Sequence, residues 1–312
     1  MNPKTKIVIA GGSGFLGRTL AKWSSQLGRE VVILSRHPET VVHGRGVHWD
    51  GKTLGDWVGE IDGALAVVNL SGRSVNCRYH ARNRRLILDS RIDSTRALGE
   101  AIRESIDPPP VWLNSSTATI YRHTFAAPHE ESGDIGPTPE ARDAFSVQVA
   151  QAWEAAFNAA ATPRTRKITL RTAMVFGREP GGVHEVLRRL ARFGLGGPMA
   201  GGRQYVSWLH AHDFCRAIDW LISQENAEGI YNLSAPEPVT NAEMMRQLRK
   251  VAGMPLGLPA PRLFLEIGAF FLRTETELII KSRRVAPRRL LNEGFTFDFP
   301  TLNQALTNLE NP

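Results

Sequence analysis

The chain is short of cysteine, of tyrosine and of long apolar runs, and each scarcity excludes something. Two cysteines, Cys77 and Cys215, stand far apart in 312 residues and in no CxxC or Cys/His pattern. That spacing excludes a disulfide framework and gives no metal site. Both read as small buried hydrophobes in a reducing compartment. The most apolar late stretch, residues 263–272, is short and carries Glu266, whereas a bilayer span needs about 20 apolar residues. No basic segment followed by an apolar run opens the chain, which predicts no signal peptide, no membrane partner and a cytoplasmic location. Internal repeats and low-complexity tracts are absent. A composition of 42% hydrophobic and 22% charged residues excludes a disordered, collagenous or coiled-coil chain.

The formal charge of +7 directs attention to anionic partners. Two concentrations stand out, Arg82, Arg84 and Arg85, and Arg283, Arg284, Arg288 and Arg289. They read as solvated helix faces. No basic stripe interleaved with aromatics supports nucleic acid as a partner.

What is present is an alternation of short apolar runs with helical periods. Strand-like runs fall at 6–10, 31–35, 64–70, 111–116 and 167–171, with helical candidates at 15–27, 80–104 and 141–161. In the last of these, Phe145, Val149, Trp153, Ala156 and Ala160 recur at spacings of three and four and mark one apolar face. Apolar strands separated by helices predict an α/β fold, a Rossmann-type doubly wound parallel sheet covered on both faces. Beyond Val175 the rhythm changes to a Gly- and Pro-rich stretch around a helix at 183–192. A helix at 213–222 and a short strand at 230–233 could return to the sheet. The expected organisation is a dinucleotide-binding domain over 1–176, with 212–234 rejoining it. A smaller, mostly helical substrate or cap domain takes 177–211 and 235–312.

Gly11, Gly12, Ser13, Gly14, Phe15, Leu16 and Gly17 follow the first strand and open the first helix. Glycines at 11, 14 and 17 form GxxGxxG. A dinucleotide's diphosphate must approach such a turn closely, the helix must pack near the strand, and the helix N-terminus then holds the negative charge. The second strand ends in Ser35-Arg36, and no acid follows until Glu39. An NAD site usually places Asp or Glu here for both ribose hydroxyls, whereas a nearby Arg accommodates a 2′-phosphate. A charge-assisted hydrogen bond of that kind is worth about 1.5–3 kcal/mol, or about ten- to a hundredfold in affinity. The expected cofactor is therefore NADP(H).

GGSGFLG at 11–17, VVNLSG at 67–72, NSSTATIY at 114–121 and LRTAMVFG at 170–177 resemble the extended short-chain dehydrogenases/reductases. GLGGPMAGGRQYVSWLHAHDF at 194–214, YNLSAPEPVTNAEM at 231–244 and RRVAPRRLLNEGFTFDFPTLNQAL at 283–306 are similar to one atypical subgroup. It comprises NAD(P)-dependent epimerase-family proteins with a C-terminal domain of unknown function. The resemblance covers nearly the whole chain. It implies that Gly11 to Leu16 wrap the pyrophosphate, that Ser35 and Arg36 meet the ribose phosphate, and that Leu70 and Ser71 flank the adenine side. It places Arg91 as a cofactor-facing helical residue, Val175 beside the nicotinamide, and Thr117 at the position of the superfamily's catalytic Ser or Thr.

One part of the family pattern is missing. Enzymes of this type use a Tyr and a Lys one helical turn apart to exchange a proton with substrate. None of the four tyrosines, Tyr79, Tyr121, Tyr205 and Tyr231, has a Lys four residues on, and the matching positions on the helix hold Ser146 and Ala150. Proton transfer then needs another group. Thr117 and Tyr121 are the catalytic candidates, against the plainer readings of a strand hydroxyl satisfied by backbone and a packing phenol with a wet tip. His123, His129, Glu130 and Glu131 follow in a loop, where functional groups concentrate. Arg203, Gln204, Trp208, His210 and Asp213 form a further cluster. Asp213 is expected as a helix N-cap, and Trp208 and His210 as pocket lining. Three functions compete: an NADP(H)-dependent oxidoreductase or epimerase-like enzyme acting on a small molecule, a cofactor-binding regulator without turnover, and an RNA-binding relative. Neither the substrate nor the oligomeric state has a readable code.

Overall fold

In the computed structural model, residues 4–263, 265–266 and 275–311 are described. Most of the apolar run 263–272 therefore lies outside the described residues. Seven strands form one sheet, all neighbours parallel, in the order β10-β6-β5-β4-β1-β2-β3. They are β1 (Lys6–Ala10), β2 (Glu30–Ser35), β3 (Arg45–His48), β4 (Ala66–Asn69), β5 (Val111–Thr117), β6 (Arg166–Thr172) and β10 (Gly229–Leu233). The central strands are apolar on both faces because each face is covered: Ile7, Ile9, Ile33 and Val68 enter one core cluster, Val8, Val32, Leu34 and Val67 the other.

Helix α1 (Phe15–Gln26) and α5 (Ala211–Ser223) cover the first face, and α2 (Ala81–Glu104) and α3 (Ala144–Ala159) the second. β1 lies between β2 and β4, so the chain reverses its winding there. In such sheets ligands bind outside the carboxyl ends of the strands at the point of reversal. Gly229–Leu233 runs beside β6 at the sheet's edge.

A third core lies beyond the sheet. Phe176, Leu187, Met199 and Trp208 pack there with Met244, Met245 and Leu248, and with Leu302, Leu306 and Leu309 of the last helix, Leu302–Glu310. Two short ribbons stitch it together: β7 (Met174–Phe176) pairs with β9 (Trp208–His210), and β8 (Tyr205–Val206) with β11 (Val239–Thr240). Helices α4 (Val183–Arg192) and α6 (Asn241–Val251) complete it.

Asp213 is not the cap of α5. That position is His210, whose Nδ1 accepts from His212 N at 3.1 Å. The fully buried Asp213 carboxylate instead accepts the backbone N–H groups of Asp298 at 3.0 Å and Phe299 at 2.9 Å. It clamps the C-terminal segment to the sheet domain. Trp208 and His210 are core residues: Trp208 donates to Glu237 O at 3.0 Å, and the His210 ring lies 4.0 Å from Phe299. His210 lines a small outer cleft of about 250 Å³ between α1 and the last helix. Among the described residues no helix is long and apolar enough to cross a membrane, and no His/Cys/Asp/Glu cluster could hold a metal.

Candidate functional site: the glycine turn and the cleft above the sheet

Glycine is required at three points of the turn after β1. Gly11 has φ +78°, a left-handed conformation, and a Cβ there would sit 2.8 Å from the Ser71 backbone. At Gly12 it would meet Ile33 Cγ2 at 2.5 Å, and at Gly17 the Gly12 Cα at 2.4 Å. Gly14 is different, since its Cβ direction is open, with only Gly11 O at 3.6 Å. The turn is therefore wedged between β2, the loop after β4 and its own helix, with Ser13 and Gly14 exposed at the tip. Gly14 caps α1 without a side chain, and the first-turn N–H groups of a helix have no partner within it. The result is a tight turn whose tip presents unpaired backbone N–H groups at the positive end of a helix, an arrangement suited to an anion.

The neighbouring strand ends carry the other residues singled out in the sequence. Ser35 is buried, with Oγ accepting from His37 N at 3.1 Å. Arg36 is exposed. The first acid downstream, Glu39, pairs with His37 at 3.3 Å rather than with Arg36. Leu70 and Ser71 lie against Gly11. Ser71 N donates to Asn69 Oδ1 at 3.0 Å, and Asn69 Nδ2 donates to Asn114 Oδ1 at 2.7 Å and Thr95 Oγ1 at 3.2 Å. This buried amide network pins the floor of the cleft to α2.

Arg91 reaches up from α2 beneath Gly72 and Arg73. Its Nη1 donates to Ile87 O at 2.8 Å and Arg73 O at 3.2 Å, and its guanidinium lies 5.1 Å from the Trp153 ring. Burial pulls its pKa down to about 10. The turn, Ser35, Arg36, Leu70, Ser71 and Arg91 are thus gathered along one rim. Val175 is buried in β7 against Leu209 and offers the cleft no side chain.

The catalytic candidates separate. Thr117 ends β5, partly exposed, its Oγ1 accepting from Thr119 N at 3.2 Å. Tyr121 is only 1% exposed. Its hydroxyl donates to Asn232 Oδ1 at 2.8 Å and accepts from Arg171 Nη1 at 3.0 Å. Arg171 in turn is held by the buried Glu154 carboxylate at 2.8 and 2.9 Å. Desolvation raises the Tyr121 pKa. The structure does not bring this phenol to the cleft.

The loop groups behind it are latches. His129 Nε2 bonds Arg122 O at 3.0 Å, Glu130 pairs with Arg288 at 2.8 Å, Glu131 accepts from Asn232 N at 3.2 Å, and His123 Nδ1 accepts from Ser282 N at 2.9 Å. Gln204 donates to Met199 O at 2.9 Å, and Arg203 is exposed near Phe125.

One cluster escaped the sequence reading. At the start of α3, Ser146 Oγ donates to Glu277 Oε1, and the Asp143 carboxylate pairs with Lys281 Nζ. Lys281 Nζ also donates to Thr119 O at 2.6 Å, and Arg283 Nε donates to Thr119 Oγ1 at 3.0 Å. The Tyr79 ring packs edge-on to Phe145 at 5.0 Å, and its buried hydroxyl lies beside Ser146 without a fully formed hydrogen bond. Ala150 is sealed among Ala118, Ile120, Tyr121 and Val285. Partners 131 residues apart leave no local pattern to find.

The NAD dependent epimerase/dehydratase profile matches residues 7–234, and that of a domain of unknown function, DUF1731, matches 260–309. The chain belongs to the NAD dependent epimerase/dehydratase family. Within this family it is 30% identical over 305 residues to the epimerase family protein SDR39U1 of Bos taurus, covering 96% of this chain and 98% of that one. It is 31% identical over 310 residues to an epimerase family protein of Mycobacterium leprae, covering 97% and 95%. Among solved structures it superimposes on human epimerase family protein SDR39U1 (isoform 2) with NADPH, at TM-score 0.86 and 26% identity, over 98% of this chain and 99% of that one. The fold is shared with that structure along nearly the whole chain.

Proposed function

We propose that the protein is an NADP(H)-dependent oxidoreductase or epimerase-like enzyme acting on a small molecule. The observation that carries this reading is the turn at residues 11–17, closed to any Cβ at Gly11, Gly12 and Gly17 yet open at its exposed tip. Backbone N–H groups of the turn would hold the diphosphate, and Ser35 with Arg36 the ribose 2′-phosphate. Leu70 and Ser71 would flank the adenine side, and Arg91 would offer a further charge from below. The match to a relative solved with NADPH supports the same cofactor. Bound NADPH would supply a hydride to a substrate carbonyl.

Thr117, whose Oγ1 accepts from Thr119 N, keeps its own O–H to donate to the substrate oxygen. Tyr121 carries no role in this reading, because its hydroxyl is buried and satisfied. Val175 would contribute through its backbone. The test is calorimetric titration of NADPH and NADH into wild type and Arg36→Asp. The reading expects wild type to prefer NADPH, with that preference reduced about ten- to a hundredfold in the variant. Equal NADPH affinity in the two proteins refutes it.

A second reading is favoured by one observation. Where the family's Tyr and Lys would stand on α3, this chain has Ser146 and Ala150. A protein that binds NADP(H) as a signal, without turnover, would need neither. NADPH oxidation over a panel of carbonyl and sugar-nucleotide substrates separates the readings, since tight binding with no turnover favours the signal.

A further inference from the structure

We propose that the C-terminal segment supplies the proton-transfer group of this site: the Glu277 carboxyl, bonded to Ser146, stands in for the phenol missing from α3. The inference rests on the NADP(H) reading above and names the residue that completes it. On the family resemblance Ser146 would stand where the tyrosine projects from α3; its side chain is partly exposed, whereas Glu277 behind it is 7% exposed. The pair is thus an accessible hydroxyl backed by a buried carboxyl. Lys281, bridging Asp143 and Thr119 O, fixes the segment against both α3 and the turn that follows Thr117. Ala150, packed against Val285, holds no cation, and Lys281 from the C-terminal segment is the cation that bonds both Asp143 and Thr119 O.

The step balances without any further reagent. As hydride reaches the carbonyl carbon, the C=O π pair moves to oxygen. With the carboxyl protonated, Glu277 donates to Ser146 Oγ in place of the bond Ser146 gives its carboxylate, and the Ser146 O–H turns to the substrate. The substrate oxygen then takes the Ser146 proton while Ser146 Oγ takes the proton of the Glu277 carboxyl. An alcohol, NADP⁺ and a Glu277 carboxylate remain, and solvent reprotonates the carboxylate. The reverse sequence oxidises a secondary alcohol.

The groups facing Glu277 are Tyr79 from the loop before α2, Asp143 at the N-cap of α3, Ser146 in its first turn, and Lys281 and Arg283 from its own segment. Desolvation and Asp143 favour the protonated carboxyl, and the Ser146 hydrogen bond, Arg283 and Lys281 oppose them, with a net rise in pKa. Lys281 itself is pulled down to about 8, chiefly by burial, which weakens its opposition as pH rises.

The experiment uses the full chain labelled with carboxyl-¹³C glutamate, wild type and the variants Glu277→Gln and Ser146→Ala. Carboxyl resonances are followed against pH, NADPH binding is measured by calorimetry, and NADPH oxidation is measured with diacetyl as the carbonyl probe. Glu277→Gln keeps the shape and an acceptor for Ser146. The expected result is one carboxyl, absent in Glu277→Gln, with its midpoint above the ordinary 4.5 and moving higher still in Ser146→Ala, which removes a bond to the charged form. In Glu277→Gln, NADPH affinity stays within about twofold while kcat falls by about a hundredfold or more. A Glu277 carboxyl titrating in the ordinary range, or indifferent to Ser146→Ala, overturns the proposal. So does wild type that binds NADPH without reducing diacetyl, or a Glu277→Gln variant of unchanged kcat. Failure of wild type to bind NADPH is instead the failure of the cofactor reading.

Discussion

Replacing Gly17 by alanine sets two local effects against each other. Gly17 lies inside α1, where alanine is favoured over glycine by about 0.8–1.0 kcal/mol on helix propensity alone. The added methyl, however, would sit 2.4 Å from Gly12 Cα and 2.6 Å from Gly11 O. Those atoms are backbone of a turn already pressed on Ile33 and Ser71, so relief requires moving the turn by about an ångström, at about 1–3 kcal/mol for overpacking. The clash wins, and Gly17→Ala should be destabilised by about 0–2 kcal/mol in urea unfolding. Binding suffers more. A displaced turn loses one or more charge-assisted N–H contacts of about 1.5–3 kcal/mol each, so NADPH affinity should fall about ten- to a hundredfold or beyond. Gly14→Ala is the control. Its methyl has open space, so unfolding should show no steric penalty and lose only about 1 kcal/mol from alanine's poorer fit at the helix N-cap, while binding weakens if the diphosphate lies over it. A Gly17→Ala protein as stable as wild type, with undiminished affinity for NADPH, would refute the reasoning that close backbone approach is what this turn provides.

Two further outcomes follow from the same geometry. Tyr121→Phe removes a buried hydroxyl bonded to Asn232 and Arg171, so unfolding should show a loss of about 1–3 kcal/mol with NADPH affinity and turnover unchanged; a stable but inactive variant would restore Tyr121 as a catalytic candidate. His210 is held neutral by burial, then by His212, Arg178 and His184, which together push its pKa from 6.5 down to about 4. The unfolded chain thus takes a proton near pH 6.5 that the folded chain refuses until about 4. The contribution is complete above 6.5 and is lost as pH falls toward 4, by up to about 3 kcal/mol. His210→Asn, which can still cap α5, should flatten that slope in urea melts between pH 7.5 and 5, and an unaltered slope would place the titration elsewhere.

The parts of the fold that show in the sequence are those whose cause is local. The central strands carry near-continuous apolar runs because both faces are buried, and the helices beside them carry one apolar face. β3 escaped notice because Arg45–His48 is an edge strand with no buried residue. The pairs β7–β9 and β8–β11 are two or three residues long, too short for periodicity. α3 begins at Ala144 rather than at 141 because Pro139–Ala141 forms a 3₁₀ turn and Arg142 takes a left-handed φ of 53°. Asp213 looked like a cap because its long-range partners, the amides of Asp298 and Phe299, have no local trace.

The site divides in the same way. The glycine turn and Arg36 are legible since a phosphate cradle is built from adjacent residues. Tyr121 misled because its burial is decided by Asn232 and Arg171. The Ser146–Glu277 pair was invisible because its halves come from opposite ends of the chain.

The central claim, that the turn after β1 holds a nicotinamide dinucleotide phosphate, is tested most directly by titrating NADPH into the purified wild-type protein in a calorimeter. A single saturable binding event per chain, tighter than with NADH under the same conditions, is the predicted result. Absence of saturable heat with either coenzyme would contradict the account.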